Sequence, residues 1–405
     1  MQPPLRYYGH MKRIAIIGGG AAGLAAAICA AHEARLLGQP VQVLVFEEAD
    51  RVGKSILATG NGRCNFSNAE VSAENYYNSE FVSRSFSALP PEEVFSFFHR
   101  LGLLWHEESQ GRLYPLSNKA SSVLDVLRFA MQDFIVELHC NSEIATITPD
   151  GSAKAPRFLV SSVEGKAEFF DAVIVACGGK VARSLLPPDY RYLNTQPLLA
   201  PLKTNTDAIK GLNNIRVRCE VRCERFAEYG EVLFRDYGIS GIVVFDSTRF
   251  VEPGETIYLD FLPTLELHQV IELLRKRFET LERRNGVDFC AGILVPPVAR
   301  AVLKMAGIAP DRLFEEAEID ALAGAIKVFP LEAKGIEDYR QAQVQRGGFE
   351  VEHFDSSSME SLRNPGLFVV GEALDVDGPC GGYNLHWAWT SGILAGRAAV
   401  ATLTR

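Results

Sequence analysis

Residues 13–23 read Arg13-Ile14-Ala15-Ile16-Ile17-Gly18-Gly19-Gly20-Ala21-Ala22-Gly23. The opening apolar run is what a strand buried in a parallel sheet requires. The glycines at 18, 20 and 23 fit the G-x-G-x-x-G pattern, and each has a physical task. Gly18 permits the tight turn out of the strand, Gly20 lets backbone approach a pyrophosphate, and Gly23 lets helix and strand pack closely. Ala21 to Leu37 continue as an alanine-rich helix whose first amides, from Ala21 and Ala22 onward, and dipole favour negative charge. A second strand, Val41 to Phe46, ends at Glu47. That acid lies 24 residues after Gly23 (47 − 23), where a carboxylate accepts hydrogen bonds from a ribose. Strand, glycine turn, helix, strand and acid in this order predict a βαβ unit that binds a dinucleotide. The unit alone does not separate FAD from NAD.

The chain has 405 residues, 47% hydrophobic and 22% charged, which suits a globular protein of two or three domains. Its formal net charge of −9 offers no concentrated basic surface, so no nucleic-acid partner is expected. No apolar run reaches the length of about 18 residues that would suggest a membrane span. The first ten residues, MQPPLRYYGH, lack the apolar core of a signal peptide, which predicts a cytoplasmic protein. Met11 stands directly before the first strand, so residues 1–10 read as an extension. The eight cysteines show no metal-ligand spacing, and no metal is expected. Cys219 and Cys223 fall on the inner face of an alternating strand and read as buried, reduced thiols.

Two further segments decide the cofactor. Residues 51–68 contain Lys54-Ser55 and then Thr59-Gly60-Asn61-Gly62-Arg63-Cys64-Asn65-Phe66-Ser67-Asn68. Residues 371–385 read Gly371-Glu372-Ala373-Leu374-Asp375-Val376-Asp377-Gly378-Pro379-Cys380-Gly381-Gly382-Tyr383-Asn384-Leu385. With the N-terminal turn, these resemble the bacterial flavoprotein family labelled NAD(P)/FAD-dependent oxidoreductase or aminoacetone oxidase family FAD-binding enzyme, some of whose members are named reductases of unsaturated 3-oxo bile acids. The likeness runs over nearly the whole chain. It implies FAD as cofactor, lying at the junction of three parts: an FAD domain built from both chain ends, an inserted β-rich domain and an inserted helical domain. It also implies cofactor contacts from Glu48, Lys54, Ala176, Gly178 and Leu385 beside the motif residues. This chain departs from the family at Ser55, where relatives carry a long residue, at Cys177 within Ala176-Cys177-Gly178-Gly179, and at Gln345-Arg346. The stretch from Lys180 to Arg191 is also poorer in glycine than in many relatives.

Residues 59–65 cannot form a regular helix or strand, because two glycines within three residues signal a loop approached closely by something else. Thr59, Asn65 and Asn68 would supply neutral hydrogen bonds, and Arg63 a charge for a pyrophosphate or a substrate carboxylate. Leu367 to Val370 read as a buried strand ending in Gly371 and Glu372. Asp375 or Asp377 suits a ribityl hydroxyl. Gly378 to Gly382 make another close-approach loop, and a helix opens at Asn384, with Trp387 and Trp389 as core. Its N-terminus, aimed at the flavin N1/C2=O edge, would stabilise the anionic reduced ring. Cys380, Tyr383, His386 and His106 are the candidate acids, although Cys380 and Cys64 read first as structural thiols and relatives usually carry glutamine at 386.

The middle of the chain changes character. Strands are expected at Val217–Phe226, Glu231–Phe234 and Ile239–Asp246, suggesting a small barrel, with Tyr237–Gly241 either lining a substrate pocket or serving as a barrel turn. Helices are expected over Leu267–Arg283 and Val298–Ala306, with another opening at Asp311–Leu313. The fold class is therefore α/β: a Rossmann-like FAD domain over 11–195 and 343–405, a β-rich insertion over 196–262 and 326–342, and a helical insertion over 263–325. The expected activity is hydride transfer through flavin N5 to or from a small organic substrate. No second G-x-G-x-x-G exists, so NAD(P)H, if used, enters the substrate pocket in alternation with the substrate. Reduction of an activated C=C bond fits that arrangement; a flavin oxidase and a non-catalytic flavin-bound sensor are the rivals.

Overall fold

The computed structural model describes residues 11–151, 157–181, 183–281 and 283–403, and residues 1–10 lie outside it. The chain divides into two compact units, Met1–Gln196 with Val344–Arg405, and Pro197–Gln343.

The first unit is built on a parallel sheet whose order is Leu367–Val369, Ala172–Val175, β1 (Lys12–Ile17), β2 (Val41–Phe46) and Glu137–His139. Every neighbouring pair runs parallel, with Ile16 beside both Ile174 and Val45. The last four residues of β1 are buried, as a strand flanked on both faces demands. Because the strands run the same way, their carboxyl ends share one edge, and the turns leaving them gather there. Helix α1 (Ala21–Leu36) follows β1 directly. Its alanines combine high helix propensity with little bulk, which lets it lie close to its neighbours.

The C-terminal helix, Tyr383–Thr402, packs beside α1. A Cβ on Gly392 would sit 2.4 Å from the Ala22 carbonyl oxygen, and one on Gly396 would sit 2.4 Å from that of Ala26. The matching order (22 with 392, 26 with 396) makes the two helices run in the same direction. Trp387 and Trp389 are core, as their composition suggested: the Trp389 indole donates to the Phe66 carbonyl at 2.9 Å and the Trp387 indole to that of Gly371 at 3.2 Å. Phe98 meets Trp389 edge-on, with ring centroids 5.0 Å apart, and so pins the helix Pro91–Arg100 to this core.

The second unit contains a closed barrel of six strands, in the order Leu202–Thr204, Gly238–Ser240, Phe226–Arg235, Arg216–Cys223, Thr256–Asp260 and Phe329–Ile336. Its helices include Leu267–Thr280, Pro296–Met305 and Ile319–Lys327. A buried ion pair, Lys327 Nζ to Asp260 Oδ2 at 2.6 Å, ties the end of the last helix to a barrel strand. Cys219 faces the barrel interior and Cys223 is half-buried.

Four expected elements are corrected here. The strand Val217–Phe226 is broken by a hairpin turn at Glu224-Arg225, since Cys223 pairs with Phe226 at the start of the next strand. That next strand absorbs the separate one expected at Glu231–Phe234. The strand Ile239–Asp246 stops after Ser240 and becomes the short helix Ile242–Ser247. Only glycine fits at the junction, because Gly241 has a φ of 120° and a Cβ there would come within 2.2 Å of the Glu231 carbonyl oxygen. The helix expected to open at Asp311–Leu313 opens at Ile319 instead, as Asp311 is held by Arg300 at 2.8 Å and Leu313 bridges Asn285. Tyr237–Gly241 supplies a barrel turn and the strand Gly238–Ser240.

Candidate cofactor site

The turns at the carboxyl edge of the parallel sheet interlock. Gly18 has a φ of 110°, and a Cβ there would lie 2.4 Å from the Ala176 carbonyl oxygen, so only glycine fits where the turn meets the loop after the neighbouring strand. A Cβ on Gly23 would lie 1.9 Å from the Gly18 carbonyl oxygen, which is the close helix-to-turn packing the motif foretold. Gly20 meets nothing nearer than the Ser55 hydroxyl at 3.6 Å, leaving the mouth of the turn open. Glu47, at the end of β2, accepts the Gly19 amide at 2.8 Å through one oxygen and the Ala49 amide at 2.9 Å through the other. Glu48 follows it, and Lys54 pairs at the surface with Asp50.

Segment 371–385 is tied down at every acid. Glu372 accepts the Gly179 amide at 3.1 Å and the Gln345 amide, linking the turn at Gly178 to its own; burial pushes its carboxyl up. Asp375 accepts the Gly347 amide at 2.8 Å, and burial again raises its carboxyl. Asp377, fully buried, is gripped by Arg346 through contacts of 2.7 and 3.0 Å, and Arg346 lies over the Tyr77 ring. Asn384 closes the loop ahead of the helix, accepting the Gly378 amide and donating to the Gly378 carbonyl, both at 2.8 Å. The helix therefore opens at Tyr383, one residue earlier than its sequence suggested.

Residues 59–68 form the other wall. The loop is irregular, as expected: Gly60 and Asn61 are left-handed, and Cys64 has a φ of 59°. Several polar side chains assigned to cofactor contact are engaged within the protein. Thr59 donates to the Ile56 carbonyl at 2.7 Å. Arg63 binds Glu108 and Asn118 and lies 4.1 Å over the Tyr114 ring, so its charge is already matched. Asn68 donates to the carbonyls of Gln110 and Gly381, both at 2.9 Å. Asn65 differs, since its buried Oδ1 has no hydrogen-bond partner among the described residues.

The candidate acids separate cleanly. His386 is fully buried, with Nδ1 2.8 Å from the Ser67 hydroxyl and the Phe86 and Phe95 rings edge-on to it. Burial lowers its pKa to about 3, so it is neutral at physiological pH, which argues against its serving as a proton donor. His106 pairs with Glu108 on the outer strand Trp105–Glu108. Cys380 and Tyr383 are half-buried at the mouth of the C-terminal helix, beside Leu385. Cys64 is buried and its thiol is pushed up to about 12, which fits a packing role.

Sequence reading missed Ser67, Gln345 and Arg346 as parts of this assembly. Only Arg346 left a sign, as part of the Gln345-Arg346 departure from the family, and sequence cannot say that it meets Asp377.

The residues present fit a long dinucleotide. Neither α1, starting after Gly20, nor the C-terminal helix, starting after Gly382, has a side-chain cap, and neither carries an acid in its first turn. Both starts point the same way. Since Gly392 lies level with Ala22, the second helix begins about eight residues (391 − 383) ahead of α1, roughly 12 Å at 1.5 Å per residue. One site favouring negative charge thus stands ahead of another along the shared helix direction. The Gly382 loop needs glycine for a reason within the protein, because a Cβ there would lie 2.3 Å from the Ser67 carbonyl oxygen.

A family model described as HI0933-like protein Rossmann domain matches residues 12–398. A 3-dehydro-bile acid delta(4,6)-reductase from Clostridium scindens is 32% identical, covering 96% of this chain and 99% of that protein. A ribosomal RNA dihydrouridine synthase from Escherichia coli is 26% identical over 93% of this chain and 95% of its own length. The enzyme of that name from Haemophilus influenzae is 28% identical with the same coverage.

Proposed function

The chain belongs to the HI0933-like family, and on that premise we propose that this FAD-dependent oxidoreductase reduces a carbon–carbon double bond conjugated to a carbonyl group, in a small organic substrate, with NAD(P)H as electron source. The structural observation that supports the cofactor is the pair of helix starts without side-chain caps, after Gly20 and after Gly382, on two helices that run in the same direction. The relatives' names support the reaction type. A delta(4,6)-reductase of a 3-dehydro bile acid and a dihydrouridine synthase each saturate a C=C bond in conjugation with a carbonyl. The more similar relative points to a steroid-like 3-oxo compound as the substrate class. The net charge of −9 favours a small molecule over RNA.

When bound, FAD supplies the hydride. The chain's own residues do the rest. The Gly18–Gly23 turn and the start of α1 hold the diphosphate, and Glu47, fixed by the Gly19 and Ala49 amides, stands at the ribose end. The start of the C-terminal helix favours negative charge on the reduced ring. Cys380 and Tyr383 at that mouth are the candidates to deliver the proton.

Anaerobic mixing tests this. NADH or NADPH should bleach the flavin, and a steroidal 4-en-3-one should restore its colour with formation of the saturated ketone. Restoration by oxygen alone makes the protein an oxidase. Restoration by uridine-containing ribosomal RNA alone moves the substrate to nucleic acid. No bleaching by either nucleotide leaves a flavin-bound sensor.

A further inference from the structure

Asn65 carries an unmet requirement at the mouth of the C-terminal helix. It is only 9% exposed, and its Oδ1 is shut off from solvent with no donor among the described residues. A Cβ on Gly382 would lie 3.0 Å from that oxygen, so it faces the residue at which the 20-residue helix begins. No side chain caps this start, and Asn384, which lies in its first turn, spends its amide on Gly378 and Pro379. Three other polar side chains of the loop are committed: Thr59 to Ile56, Ser67 to His386, Asn68 to Gln110 and Gly381. Folded proteins rarely leave a buried acceptor unmatched, and a group bound against the loop would supply its donor.

The pattern on the protein is an acceptor oxygen beside uncapped helix amides. Its complement is an N–H donor beside a C=O acceptor, the edge of a cyclic imide. A phosphate or carboxylate does not fit, because it brings no N–H and would set oxygen against oxygen. We propose that Asn65 Oδ1 accepts the N3–H of the flavin pyrimidine ring while the start of the helix Tyr383–Thr402 favours the adjoining carbonyl. Asn65 thus selects the ring edge that docks there. The inference rests on FAD as cofactor and not on the substrate proposed above, so either can fail without the other.

Flavin is stripped from the full-length protein, and the apoprotein is titrated with FAD and with N3-methyl-FAD by flavin fluorescence. The N-methyl group deletes the donor and leaves the rest of the cofactor intact. Wild type should prefer FAD at least tenfold. Asn65→Ala should weaken FAD about tenfold and bind the two cofactors equally. Asn65→Asp, which keeps an acceptor, should retain the preference. Equal binding of both cofactors by the wild type overturns the proposal. So does an Asn65→Ala protein that loses affinity for both by one factor and keeps the preference, which is what a role in shaping the loop alone would give. If Asn65→Ala does not fold, the wild type and Asn65→Asp decide between these outcomes.

Discussion

Gly392 lies against the backbone of Ala22 so closely that a Cβ would come within 2.4 Å of its carbonyl oxygen. This contact sets how far the start of the C-terminal helix stands ahead of the start of α1. Gly392→Ala forces the helices apart, and overpacking of this kind costs about 1–3 kcal/mol. The variant should melt at lower temperature and release FAD more readily. Arg397→Ala, on the exposed side of the same helix, should change neither by more than about 0.5 kcal/mol. Thermal melts with and without added FAD check both.

His386 gives a pH signature. Its pKa in the folded chain, about 3, lies below the usual 6.5, so the unfolded chain takes up the proton first. Its contribution to stability is complete above about pH 6.5 and is lost as pH falls toward 3, roughly tenfold in the unfolding constant per pH unit inside that window. The raised carboxyls of Glu372 and Asp375 act in the opposite sense, weakening the fold as pH rises through their range. His386→Gln keeps a neutral partner for Ser67 and cannot be protonated. Urea denaturation at pH 7 and pH 4.5 should show a smaller loss for this variant than for wild type. Equal losses would place the acid sensitivity elsewhere.

The Asp377–Arg346 pair should respond unequally to loss of its two partners. Arg346→Met strands a fully buried carboxylate and should cost about 3–5 kcal/mol. Arg346→Met with Asp377→Asn removes the charge as well, and should recover part of that loss. A double-mutant cycle in urea measures the coupling.

Thiol chemistry separates the cysteines. Burial pushes the thiols of Cys29, Cys64 and Cys177 up to about 12, which starves them of thiolate at neutral pH. Iodoacetamide at pH 8 should leave these three unmodified in the folded protein while labelling the half-buried Cys140 and Cys380 first. Peptide mass spectrometry before and after unfolding reads the difference.

The sequence by itself determined the βαβ unit. Gly18, Gly20 and Gly23 between an apolar strand and an alanine-rich helix admit one local geometry, because backbone sterics and side-chain period act within a few residues. The buried tryptophans and the irregular loop at 59–65 were legible for the same reason, whereas alternation marked a small barrel without its strand count or its strand bounds. Tertiary structure alone decided how these pieces meet at the site. Ser67 reaches His386 across 319 residues of chain, and Arg346 rather than some other cation answers Asp377. It also ended the strand at Ser240, where the approaching carbonyl of Glu231 leaves room only for Gly241. Above all, it left the Asn65 Oδ1 without a donor among the described residues. Whether a polar group is satisfied depends on every element that closes around it, and no local pattern records that.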